Sequence, residues 1–383
     1  MIELLQSLIK IKSLSPKDMG CFDLIEKELS ELNFNIKRIN YQNVENLYAS
    51  VGNSGKLFCF LGHTDVVPSG PEEKWKYPPF SATIEDDLLY GRGVADMKGS
   101  VAAFIEASKD FLSSSEDLNF RLAILLTSNE EGTSKDGFID KIIENMIQEN
   151  EIIDYCLVGE PTASEKVADC ARIGRRGSLG GHLKLFGKQG HIAYPEKVIN
   201  PILKSGELIS KLNNKIWDDG NDSFDPTSFQ ISNINSGTGA HNVVPGELEL
   251  TFNFRFSPES TEESLKSKFE ALLKELNLNY SLTWDLNGLP YYTQNNFFKN
   301  IVSNSVQEVA GYTPEFNAKG GTSDGRFVAK MNTEIIELGP VNKSIHQIDE
   351  HLKISELFTL KEIYTKILIK VNQASSAYFS DYI

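Results

Sequence analysis

Apolar positions along the chain follow two rhythms. In the first half, near-continuous runs such as LFCFLG (57–62) and RLAILLT (121–127) read as strands buried on both faces. A third such strand is expected over 153–158, where YCLV lies. Between these runs, residues 21–32 and 98–112 place apolar side chains at the three-and-four spacing of a helix. The opening stretch, MIELLQSLIKIKSLSP, does the same with Leu4, Leu5, Leu8 and Ile9. Strand and helix in alternation predict an α/β fold: a mixed, mainly parallel sheet with helices on both faces.

The rhythm changes after Arg176. GSLGGHLKLFG (177–187) reads as a strand and 201–217 as an amphipathic helix. A strand near 229–233 follows, then the strictly alternating ELELTFNFRF (247–256), a helix over 260–276 and a strand near 280–284. That order predicts a compact α+β sandwich. After Gly288 the first style returns, with a helix over 296–309, a strand at 334–338 and a last helix over 354–371. The expected organisation is one domain made of 1–176 and 290–383, interrupted by an inserted domain at 177–289.

Composition narrows the possible partners. With 40% apolar and 24% charged residues the chain is ordinary for a globular protein, but its net charge of −15 disfavours nucleic acid or an anionic membrane. Its four cysteines form no CxxC pair, and Cys59 and Cys156 sit inside strand-like runs. Buried free thiols and a reducing compartment are expected. No basic n-region or small-residue cleavage site precedes the first helix, and no apolar run approaches about 18 residues. The expected location is cytoplasmic.

The chemistry lies where apolar runs stop. GHTDVVP carries His63 and Asp65, GRGVADMKG Asp96, SNEEG Glu130 and Glu131, GEPT Glu160, and SIHQIDE His346. Singly, each has a plain structural reading: Asp96 could cap its helix, and an acidic pair is often a solvated surface. Four His or acidic strand ends in one parallel sheet are different, because they converge on the edge where such sheets bind ligands. Nitrogen and oxygen donors of this kind suit Zn²⁺, with cobalt or manganese as substitutes.

On these segments the chain resembles the di-zinc amidohydrolase and peptidase family, which includes carboxypeptidases, aminoacylases and deacylases of N-acyl amino acids. The likeness runs over nearly the whole chain, including the inserted domain. It implies a zinc-peptidase-like catalytic domain holding two Zn²⁺ per subunit. His63 and Glu160 would complete one ion, Glu131 and His346 the other, and Asp96 would bridge them. Glu130 would be the general base, Asp65 the partner of His63, and the peptide bond after Asp96 would be cis.

Runs outside that site are similar to the desuccinylase branch of the family: RIGRRGSL (172–179), GKQGHIAYP (187–195), GAHNVVPGELELTFNFRFSPES (239–260), GGTSDGRF (320–327) and ELGPVNKSIHQIDE (337–350). The substrate of that branch, N-succinyl-L,L-diaminopimelate, carries several carboxylates. Arg176 and Arg255 offer planar forks for them, though Arg255 could equally serve a structural ion pair and Arg175 could be a surface cation. The turn at Gly321, Thr322 and Ser323 offers N–H groups and hydroxyls, and Asn342 is placed for the polar end. The resemblance further implies a homodimer in which His191 and Asn242 act on the partner's site, with Tyr194 lining the pocket. His182, His241 and His351 read as structural.

The chain departs from the branch pattern at Asp86–Asp87, where Asp–Gly is usual and a strained or rebuilt turn follows, and at Asn129, Glu196 and Asp349. Two other functions stay open at this point. One is an acetylornithine deacetylase or aminoacylase-like hydrolase; the other is a non-catalytic metal-binding protein, which would have no use for Glu130.

Overall fold

The computed structural model describes residues 1–115, 117–132 and 139–380. The chain forms two compact units, one of Met1–Gly174, Tyr292–Asn317 and Ser323–Ile383, the other of Arg175–Tyr291 with Ala318–Thr322. The expected division left 318–322 with the larger unit. The reason it belongs to the smaller one is Arg175. Left open between a surface cation and a functional one, this residue is buried and donates from Nη1 to the Lys319 carbonyl at 2.9 Å. Gly320, at φ +102°, lies so near that guanidinium that any side chain there would collide with it.

The larger unit is built on an eight-stranded sheet. Its order is Asn35–Tyr41, Val44–Val51, Arg121–Thr127, Leu57–His63, Tyr155–Val158, Glu334–Glu337, Cys170–Arg172 and Glu315–Asn317. The four central strands, Arg121–Thr127 through Glu334–Glu337, run parallel. The first two strands form an antiparallel hairpin at one edge. Every residue of Leu57–His63 is buried, as a strand covered on both faces requires. On one face Phe60 stacks on Phe104 at 4.2 Å and meets Tyr364, while Phe58 packs edge-on against Phe298. These partners come from the helices Gly99–Ser114, Phe297–Ala310 and Ile354–Ser380. The pleat sends Leu57, Cys59 and Leu61 to the other face, where the short helix Gly325–Val328 joins Ile139–Gln148 to the strands Tyr155–Val158 and Glu334–Glu337. All four cysteines are buried free thiols. Among the described residues no helix is long and apolar enough to cross a membrane.

A second, three-stranded sheet pairs Thr83–Glu85, Leu88–Tyr90 and His351–Lys353. The Asp86–Asp87 turn within it is rebuilt, not merely strained. Asp86 takes the left-handed φ of +53°, while the Asp87 carboxylate accepts the Ser355 amide at 3.0 Å and the Ser355 hydroxyl. It therefore caps the start of Ile354–Ser380 from outside the helix, satisfying a donor that has no partner within it.

The smaller unit is built on a four-stranded antiparallel sheet, ordered Ser228–Ser236, Glu247–Phe256, Gly177–Phe186, Tyr280–Gly288. Alternation in ELELTFNFRF puts Leu248, Leu250, Phe252, Phe254 and Phe256 on the buried face with Leu179, Leu183 and Leu185. The helices Pro201–Asn213 and Glu262–Glu275 cover that face through Leu208, Leu212, Leu265, Phe269 and Leu273. Both helices start where their caps dictate. Asn200 accepts from two first-turn amides with Pro201 at the first helical position, and Thr261 with Ser264 forms a reciprocal capping box. His182 stands on the polar face, within hydrogen-bond range (3.2 Å) of Thr251 Oγ1, in the structural role expected of it.

Candidate metal centre

The parallel strands of the larger unit end side by side. His63 closes its strand opposite Thr127, and Leu61 pairs with Val158, so the chain leaves three neighbouring strands at Thr64, Ser128 and Gly159. Glycine precedes both His63 and Glu160 for a packing reason. A side chain at Gly62 or Gly159 would collide with Met97, which is buried beneath the strand ends.

The donors meet in three groups among the described residues: His63 with Glu130 and Glu131, and two that share Asp96. In one of these two, His63 Nε2 lies 3.4 Å from Asp96 Oδ1 and 3.7 Å from Glu160 Oε1. In the other, His346 Nε2 lies 3.1 Å from Asp96 Oδ2 and 2.7 Å from Glu131 Oε1. The donor atoms of each triad all fall within 4.8 Å of one another. Asp96 does not cap its helix; its backbone is extended (φ −121°, ψ 92°) and its peptide bond to Met97 is cis, as the resemblance implied. His346 reaches its position through the left-handed φ of +59°, an uncommon conformation for a residue with a side chain.

Asp65 is used differently from expectation. The His63 Nδ1 partner is the Asp65 backbone carbonyl at 3.0 Å, and the carboxylate stands back at 3.6 Å. Its two oxygens accept the amides of Glu130 and Glu131, each at 3.1 Å, and the Ser15 hydroxyl. One buried carboxylate thus fixes the turn that carries the proposed base. The Asn129 Nδ2 beside that turn is buried without an acceptor among the described residues.

The charges are unbalanced in the sense a cation would correct. Four carboxylates (Asp96, Glu130, Glu131, Glu160) face two imidazoles, and buried charges of one sign are costly unless countered. Burial, then the charges of Asp96 and Glu130, raise Glu160 well above the usual carboxylate range. Burial and the neighbouring Asp324 do the same to Glu130. Asp324 is itself pushed up to about 6, chiefly by burial. Burial would depress the His63 imidazole, but Asp96, Asp65 and Glu160 outweigh it and raise it well above its ordinary value. Hydrogen bonds to Asp96 and Glu131 raise His346 to about 10. Burial alone would raise Asp96 too; the two imidazoles instead hold it far below the usual range. The buried atoms His63 Nε2 and Asp96 Oδ1 face each other with no hydrogen-bond partner among the described residues. Orphaned donor atoms, with an oxygen-and-imidazole set in two triads, fit a pair of divalent cations.

The residues expected to hold substrate divide between the units. In the larger unit, Ser323 is fully buried and donates its hydroxyl to Glu337 at 2.5 Å. That hydroxyl anchors the turn and is not offered outward, which corrects its expected role. Asn342 is half-buried, its amide bonded to the Ala163 carbonyl at 2.9 Å. In the smaller unit, His191, Tyr194 and Asn242 come together on an exposed feature. Gly190–His191 pairs with Val243–Val244, Ile192 donates to the Asn242 carbonyl, and the His191 and Tyr194 rings meet edge-on at 5.8 Å. Arg176 Nε is buried with no acceptor among the described residues. Arg255 lies on the polar face of the sheet, in register with Ser178 and Ser228. Gly321 is exposed and Thr322 half-buried. Sequence reasoning missed Ser15, Asp324 and Glu350. Only the last carried a signal, four residues after His346 in SIHQIDE.

Known proteins resemble this chain in sequence and in fold. Over 97% of the chain and 98% of the relative, 49% of residues are identical to a succinyl-diaminopimelate desuccinylase of Hydrogenovibrio crunogenus (strain DSM 25203 / XCL-2). A protein of the same name from Alkalilimnicola ehrlichii (strain ATCC BAA-1101 / DSM 17681 / MLHE-1) is 47% identical over 96% and 98%. Among solved structures, the M20 family metallo-carboxypeptidase Sso-CP2 from Sulfolobus solfataricus matches with a TM-score of 0.79 at 20% identity, covering 96% of this chain and 98% of that one. The Bacillus subtilis YXEP protein, a dinuclear metal-binding peptidase of the M20 family, matches at 0.74 and 15% identity over 97% of each chain. A family model spans residues 59–370, a stretch containing every donor of both triads, and the chain belongs to peptidase family M20/M25/M40.

Proposed function

We propose that the chain hydrolyses the amide bond of N-succinyl-L,L-2,6-diaminopimelate, giving succinate and L,L-2,6-diaminopimelate for lysine and cell-wall precursor synthesis. The observation carrying this reading is the pair of triads sharing Asp96, in a chain 49% identical along nearly its whole length to a desuccinylase. His63, Asp96 and Glu160 would hold one Zn²⁺, and Asp96, Glu131 and His346 the second; Co²⁺ or Mn²⁺ could replace them. Bound there, the two ions would polarise the scissile carbonyl and acidify a water.

The protein's own groups do the rest. Glu130, its carboxyl raised above the usual carboxylate range by burial and Asp324, takes a proton from the attacking water and returns it to the departing amine. The acyl carbon gains an oxygen, the C–N bond breaks, and the nitrogen leaves protonated. Asp65 keeps Glu130 in place through the 130–131 amides. His191 donates to the carbonyl oxygen as charge develops, a contact worth about 3–4 kcal/mol in comparable sites. In this reading His191 and Asn242 come from the partner subunit of a homodimer. Arg176, whose Nε has no acceptor among the described residues, binds a substrate carboxylate with Arg255, Gly321, Thr322 and Asn342, and Tyr194 lines the site. A cytoplasmic setting suits the four free thiols.

The test compares hydrolysis of N-succinyl-L,L-diaminopimelate with that of N-acetylornithine by the Zn²⁺-loaded chain. The succinyl substrate should have the larger kcat/KM. Faster acetyl hydrolysis overturns the assignment in favour of a deacetylase.

A further inference from the structure

The buried pair Arg92–Glu350 is not a metal donor, yet it touches both arms that carry metal donors. Arg92 Nη1 lies 2.6 Å from Glu350 Oε2, with both side chains almost wholly excluded from solvent. The same oxygen accepts the Gly93 amide at 3.0 Å, and Oε1 accepts the amides of Ala95 (3.0 Å) and Asp96 (3.2 Å). One carboxylate therefore takes up four donors, three of them from the turn that presents Asp96. Its own backbone carbonyl accepts the Gly91 amide at 2.9 Å, so the chain on either side of that turn is tied to Glu350.

The other arm is the loop carrying His346. Glu350 follows it by four residues, across a segment in which His346 and Asp349 both take left-handed φ values near +60°. That loop is pinned at its flanks. The Ser344 hydroxyl donates to the His351 carbonyl, and Asp349 Oδ1 accepts the Lys76 amide at 2.6 Å. Arg92 extends the frame by donating to the Pro68 carbonyl and stacking over Trp75 at 5.1 Å. A buried ion pair is weak evidence for stability, since apolar side chains often replace one at no loss. Its distinctive property here is geometric: it sets the spacing between Asp96 and His346.

We infer that Glu350 is a positioning residue for the Asp96–Glu131–His346 triad, holding the bridging carboxylate and the terminal imidazole at one metal's spacing. This rests on the metal reading proposed above. The His63–Asp96–Glu160 triad shares only Asp96 with the clamp, while the other triad has two of its three donors on clamped arms. Loss of the clamp should therefore weaken one metal position selectively.

The experiment titrates metal-stripped protein with Zn²⁺ against a chromophoric chelator and records the Co²⁺ visible spectrum at one and two equivalents. Glu350→Gln should weaken one of the two equivalents by about 10–100-fold, leave the other within about threefold, and alter the Co²⁺ bands of the weakened equivalent alone. Glu350→Asp, whose shorter arm cannot reach all three turn amides, should give the same selective shift and carries the test if the Gln variant does not fold. Equal weakening of both equivalents, or of neither, overturns the inference. A wild-type chain that binds fewer than two ions overturns the metal reading itself, and this inference with it.

Discussion

Glu130 and Asp65 illustrate how one residue type serves two ends within a few ångströms. Glu130 is partly accessible and its carboxyl is raised by burial and by Asp324, which suits a group that must hold and release a proton. Glu130→Gln keeps the shape and removes that capacity. It should lower kcat by about 10²–10⁴-fold with metal content unchanged, measured by turnover alongside elemental analysis; unchanged turnover would show that Glu130 is not the base. The segments behind the metal reading stood out because several of their His and acidic residues follow apolar runs, while the part proposed for each was implied by the family resemblance. The second task of Asp65 was not legible. Its partners Ser15, Glu130 and Glu131 lie 50 to 66 positions away, and no local pattern encodes a contact of that range. Ser323 misled for the same reason, since its acceptor Glu337 is set by the sheet.

Among the elements, most strands and helices with unbroken periodicity were readable to within a few residues, but the last helix, expected over 354–371, runs on to Ser380. The hairpin Asn35–Tyr41/Val44–Val51 was not, because NIKRINY lies at a sheet edge where no buried face enforces alternation. The helix Ile139–Gln148 did carry a signal, in Ile139, Ile142, Ile143 and Met146. Short pieces such as Thr83–Glu85 and Glu315–Asn317 are too brief to have a period. Asp87 is the clearest test at this scale. Asp87→Ala removes the acceptor for the Ser355 amide and should cost about 0.5–2 kcal/mol, read as a lower calorimetric midpoint. In the smaller unit, Asp218 makes an equivalent pH-dependent contribution. Burial would raise its carboxyl, but the hydroxyls of Ser260 and Thr227 and two backbone amides hold it below the usual range. A depressed folded value stabilises above the unfolded value of about 3.9 and loses that effect as pH falls through the folded one. Asp218→Asn should therefore lower the midpoint at pH 7, and the difference from wild type should shrink on acidification below pH 4.

For the whole molecule, the split into two units was foreshadowed by the change of rhythm after Arg176, whereas 318–322 joined the smaller unit through a guanidinium whose burial the sequence left open. The assembly is testable by mixing. If His191 acts across a two-fold interface, Glu130→Gln and His191→Ala chains are each inactive. Their heterodimer nevertheless holds one complete site. Random re-association at equal amounts should recover about a quarter of wild-type activity. No recovery, with exchange verified by mass, would place His191 in its own subunit's site or outside the chemistry.

The strand order has a consequence for the order of events during synthesis. Glu334–Glu337 lies between Tyr155–Val158 and Cys170–Arg172 in the sheet, yet leaves the ribosome about 180 residues after the strand it completes. At bacterial-like rates of about 5–20 residues per second, the apolar edge at Tyr155–Val158 waits roughly ten to forty seconds for its neighbour, and His346 follows later still. On the metal reading proposed above, His63, Asp96, Glu131 and Glu160 would be available to an ion well before His346 is made. Loading would then finish late in maturation, and the waiting edge is the segment a chaperone would have most reason to hold.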